Sequence, residues 1–165
     1  MKRRDIIKSG VGLGLFLPYF SLPTALANLL SFQQTRTLVA FIDALIPADT
    51  TPSASQLKLH QTLLLHAKEI KNYPELIQLG CQWLDNQADL INQQPFLRLS
   101  VEQQNLIIKK AANSDELSIP AQFFTHIRQD LFRFYYANPA SWSGLDISPP
   151  QPTGYLSYFR PLLNE

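Results

Sequence analysis

Cysteine is nearly absent from this chain. Cys81 is the only one in 165 residues, which rules out an intrachain disulfide and a CxxCH haem attachment. An unpaired cysteine leaves two readings: a disulfide to another subunit, or a small apolar side chain in a core. Charge is also scarce, at 16% of residues against roughly 25% in ordinary soluble domains. The net charge of +1 is local, because Lys2, Arg3, Arg4 and Lys8 crowd the start against Asp5 alone. Beyond residue 27, 10 of the 14 basic and 12 of the 13 acidic residues remain, a formal charge of −2. No basic face is left for nucleic acid. Of the six glycines, Gly10, Gly12 and Gly14 cluster near the start, outside any strand-to-helix turn, so no phosphate-cradling loop is present. The three histidines do not make a metal site by spacing: His60 and His66 fall about 120° apart on a helix, and His126 is remote in sequence. No segment alternates polar and apolar residues as a strand would, and no repeat is visible. The class is all-α.

The longest apolar stretch, Val11 to Phe20, is shorter than the roughly 20 residues needed to span a bilayer as a helix. It follows a basic start and precedes the small residues Ala25 and Ala27, the order of an export signal. The start reads Arg3-Arg4-Asp5-Ile6-Ile7-Lys8, which resembles the bacterial twin-arginine (Tat) signal. Residues 1–27 are therefore expected to be the signal, cut after Ala27. Residues 28–165 are expected to form one helical domain. A Tat signal implies export to the periplasm in a folded state, with the translocase as a transient partner.

Five helices are legible. Ser31 with Gln34 forms a capping-box pattern, and Leu38, Phe41, Ile42 and Leu45 keep a helical period, predicting a helix over 32–46 that Pro47 stops. Leu57, Leu63, Leu64 and Ile70 predict a second over 53–71. Pro74 suits a first helical turn, and Leu76, Leu79, Trp83, Leu84, Leu90 and Ile91 mark a third, ending near Asn92. Ser100 with Gln103 opens a fourth, reaching about Ala112. The fifth follows Pro120, with Phe123, Phe124, Ile127, Leu131, Phe134 and Tyr135 on one face and Phe132 and Tyr136 outside that stripe.

The tail, 137–165, is different in kind. It holds five of the twelve prolines, and ten of the eighteen aromatics lie between Phe123 and Phe159. A Pro-rich aromatic segment either wraps back over the fifth helix or binds a partner at low entropic cost. Phe132, Tyr136, Trp142, Pro150, Tyr155 and Tyr158 are the interface candidates, together with Cys81, which the helical wheel places at the boundary of the third helix's apolar stripe. Asp85 and Asp89 share a helical face but sit in a polar run, so they are expected to face solvent. Asp49, in the turn after Pro47, is expected to bind backbone N–H groups locally. No catalytic, cofactor or metal residue is read from the pattern. The rival reading, an independent periplasmic enzyme or a metal- or small-molecule-binding helical protein, would draw on Asp43, Asp49 and a histidine, or on the aromatic core.

Two segments, Phe41-Ile-Asp-Ala-Leu-Ile-Pro-Ala-Asp-Thr-Thr-Pro52 and Phe134-Tyr-Tyr-Ala-Asn-Pro139 running through Trp142 and Gly144-Leu145 to Pro149-Pro-Gln-Pro-Thr-Gly-Tyr155, resemble the gluconate 2-dehydrogenase subunit 3 family. That resemblance implies a non-catalytic small subunit of a membrane-associated, FAD-dependent dehydrogenase for gluconate, glucose or a polyol. The flavin would belong to a large subunit of the GMC type, and haem, where present, to a separate cytochrome c subunit. The small subunit would carry the signal-less flavoprotein across the inner membrane as its escort and then remain bound as a stabilising subunit.

Overall fold

The structure is a computed structural model, and it describes residues 29–144. These form five α-helices: α1 (Phe32–Leu45), α2 (Leu59–Lys68), α3 (Tyr73–Asn92), α4 (Val101–Ala112) and α5 (Ile119–Tyr136). Short 3-10 turns lie at Phe96–Arg98 and Pro139–Gly144. Among the described residues no strand occurs, as expected for the all-α class.

Both capping boxes form. Ser31 Oγ accepts from the Gln34 N–H at 3.1 Å while Gln34 Oε1 accepts from the Ser31 N–H at 2.9 Å. Ser100 and Gln103 repeat the pattern at the head of α4. Each satisfies two backbone donors that a helix start otherwise leaves open. Ser118 caps α5, with Pro120 in its first turn.

The second helix is shorter than expected, Leu59–Lys68 in place of 53–71. Ser53 and Gln56 do begin a turn, through Ser53 N–H to Gln56 Oε1 at 2.8 Å. But Lys58 adopts a left-handed φ of 55°, a conformation no α-helix continues through, and α2 starts only after it.

On α3 the buried face is not the stripe of large apolar residues read from the sequence. Tyr73, Ile77, Gly80, Cys81, Leu84 and Ala88 are buried, whereas Leu79, Leu90 and Ile91 are exposed. Of that stripe only Leu84 enters the core fully. The cause is close packing against α5: a Cβ placed on Gly80 would lie 2.1 Å from the Phe123 ring. Small residues on α3 admit a large aromatic from α5, and Phe123 in turn meets Phe41 of α1 with ring centroids 4.9 Å apart. On α5 the expected stripe holds, with Phe123, Ile127, Leu131 and Tyr135 buried and Phe132 and Tyr136 outside it.

Asp85 also departs from expectation. It is half-buried, accepts from the Thr37 hydroxyl at 2.9 Å and from the Phe96 N–H at 3.0 Å, and so ties α3 to α1 and to the 3-10 turn. That turn carries Phe96 wholly into the core. A charged acceptor with such partners contributes more than a neutral one.

Candidate functional surfaces

Three features lie on or near α5. At the C-terminal end, Tyr135 points inward, and its hydroxyl reaches Thr51 Oγ1 at 2.8 Å and the Pro52 carbonyl at 2.9 Å. The turn it meets is itself closed by Asp49, whose carboxylate accepts from the Thr51 N–H at 2.7 Å and the Thr51 hydroxyl at 2.8 Å. These bonds, backbone first, hold the exposed Asp49 carboxyl below its ordinary range. Asp49 therefore has the local turn role expected of it. Asp43 accepts from the Ser55 N–H at 2.8 Å. It lies near enough to His60 to pull that imidazole's pKa upward, against the stronger lowering by burial. His60 Nδ1 is buried without a hydrogen-bond partner among the described residues.

After Tyr135 the chain passes into the 3-10 turn, with Tyr136 exposed and Ser141 buried. Ser141 Oγ bonds the Tyr135 carbonyl at 2.8 Å, and Trp142 Nε1 donates to the Tyr136 carbonyl at 2.9 Å. The loose carbonyls at the end of α5 are thus satisfied by the 3-10 turn. Phe132 and Tyr136 stand exposed one helical turn apart, with centroids 6.2 Å apart. Three of the expected interface residues, Phe132, Tyr136 and Trp142, therefore gather at one end of α5. Pro150, Tyr155 and Tyr158 lie outside the described residues, as do Arg3, Arg4, Lys8, Ala25 and Ala27 of the signal.

Cys81 does not join them. It is completely buried, and burial, aided by the nearby Asp85 charge, pushes its thiol well above the ordinary range. A boundary position is thereby corrected to a core one, because α3 turns its small residues inward; a neutral buried thiol is a poor nucleophile for disulfide exchange.

The third feature was not read from the sequence. A cleft of about 720 Å³ opens beside α5, lined by residues that include His66, Tyr73, His126, Asp130 and Arg133. The buried Tyr73 hydroxyl donates to Asp130 Oδ2 at 2.7 Å. Arg133 Nη2 lies 3.4 Å from Asp130 Oδ1 and 3.2 Å from His66 Nε2; a guanidinium only donates, so His66 Nε2 is the acceptor. Burial first, then the bond to Asp130, raises the Tyr73 phenol far above its usual value. The group acts as a staple joining α2, the start of α3 and α5. Spacing within single helices gave no hint that His66 and His126 would share a cleft around Tyr73. The one visible signal was Asp130 and Arg133 at i,i+3.

Among the described residues no cluster of three His, Cys, Asp or Glu could hold a metal ion. No helix there is long and apolar enough to cross a membrane.

These features define a helical domain in which Asp85, Asp130 and Tyr135 tie its elements together and Phe132, Tyr136 and Trp142 gather at one end of α5. The chain belongs to the gluconate 2-dehydrogenase subunit 3 family, whose model matches residues 32–147. The family's name makes it an accessory subunit that associates with other subunits of a gluconate dehydrogenase complex. The match spans the first resembling segment and the start of the second; the Pro149–Tyr155 run lies beyond it. No curated protein and no solved structure matches the chain.

Proposed function

We propose that this chain is the non-catalytic small subunit of an exported FAD-dependent dehydrogenase acting on gluconate, glucose or a polyol. Its work is to grip the large flavoprotein subunit in the cytoplasm, escort it through the twin-arginine translocase, and stabilise it in the periplasm, peripheral to the inner membrane through the complex. FAD resides in the large GMC-type subunit, and a cytochrome c subunit is the further partner where one is present. The observation that carries this reading is the family match over residues 32–147. The Arg3-Arg4 motif supports the export step. The Phe132–Tyr136 pair with Trp142 beside it supports the grip, since aromatics of this kind dominate interface energetics.

The test of export is Arg3→Lys with Arg4→Lys in the native host. The large flavoprotein, followed by mass spectrometry and flavin absorbance, is expected to leave the periplasmic fraction together with this chain. A flavoprotein that still reaches the periplasm in full would overturn the escort role.

A further inference from the structure

Leu76, Leu79 and Trp83 recur at helical spacing on α3, yet the core is built from the neighbouring face. At 100° per residue the two faces are centred about a third of a turn apart. Leu79 borders two hollows. One is the cleft of about 720 Å³ that also includes Ile70 and Leu76. The other, about 440 Å³, is lined by Trp83 and Ile119 as well. Leu79, Ile70 and Ile119 are all exposed. The two hollows meet at Leu79 and form one groove along α3 and α5, from Ile119 to Arg133 in the last turn of α5, with these apolar side chains set among polar ones.

Charge at the rim decides what fits. Asp130 is turned inward, 17% exposed and bonded to Tyr73, whereas its partner Arg133 is 59% exposed. The pair therefore shows its cation to the outside. Exposed Lys71 lies on the same rim. Glu75, exposed in the first turn of α3, adds one anion to that rim, and the positive end of the helix weakens its field.

We infer that this groove seats an apolar segment of the large partner subunit carrying a carboxylate opposite Arg133. It extends beyond the Phe132–Tyr136 pair and adjoins it at Arg133, in the last turn of α5, and it rests on the subunit reading above. A segment that buries apolar side chains between α3 and α5 and pairs with a partly exposed arginine at the edge has the usual anatomy of an interface core and rim.

The test uses the whole complex purified through a tag on this chain. A photo-crosslinking p-benzoylphenylalanine at position 79 is expected to capture a large-subunit peptide rich in apolar residues with an Asp or Glu. Leu79→Glu, at an exposed site, is expected to lower recovery of the large subunit at least tenfold with an unchanged melting temperature. Arg133→Glu is a second variant: recovery restored by a Glu→Arg or Asp→Arg change in the captured peptide would support the charge pairing. Capture of this chain's own tail or of a second copy, or undiminished recovery with Leu79→Glu, would overturn the inference and leave the subunit reading standing. A wild-type chain that brings down no large subunit would overturn both.

Discussion

The Tyr135 hydroxyl, in the last turn of α5, lies 2.9 Å from the carbonyl of Pro52, a residue 83 positions earlier. This bond joins the two segments on which the family resemblance rests. Tyr135→Phe removes the donor and leaves the Pro52 carbonyl short of a partner, so a loss of about 1–3 kcal/mol is expected. Urea unfolding measures it. An unchanged midpoint would mean that the turn after α1 is held without α5.

Gly80 is needed for space. Alanine is the better helix former by about 1 kcal/mol, so on propensity alone Gly80→Ala would stabilise α3. Its Cβ would instead strike Phe123, and overpacking costs about 1–3 kcal/mol. We expect net destabilisation by thermal melting, and partial rescue by Phe123→Leu. A more stable Gly80→Ala variant would refute the close α3–α5 contact.

That contact also explains what was legible beforehand. Capping serines and prolines are local signals, so the starts of α1, α4 and α5 and the stops near Pro47 and Asn92 could be read from the sequence. The inward face of α3 could not. Large apolar side chains advertise burial one residue at a time, whereas Gly80 and Ala88 become core only because Phe123 arrives from a distant helix. The left-handed Lys58 that shortens α2, and the meeting of His66, Tyr73 and Asp130, likewise depend on tertiary placement. Asp49 was readable because its bonds reach only two residues along the chain.

Cys81 should be inert to a thiol reagent at pH 8 in the folded chain and react fully in denaturant, because burial disfavours its thiolate. Rapid labelling of the native protein would show that the α3 face is open.

His60 gives a pH dependence. Burial lowers its pKa below the ordinary 6.5, so the unfolded chain takes up a proton more readily than the folded one. Its contribution is fully present above pH 6.5 and declines as pH falls below that value. The melting temperature should fall between pH 7.5 and 5.5, with a shallower slope in His60→Gln. Equal slopes in the two proteins would remove His60 as the cause.

The most direct measurement purifies the tagged chain from the periplasm and membrane of its native host and records the flavin spectrum and the mass of what accompanies it. The account predicts a stoichiometric large flavoprotein with the wild type. It also predicts at least a tenfold loss of that partner when Phe132 and Tyr136 are both changed to alanine, with the helical signal and melting temperature kept. A lone, colourless wild-type monomer would contradict it.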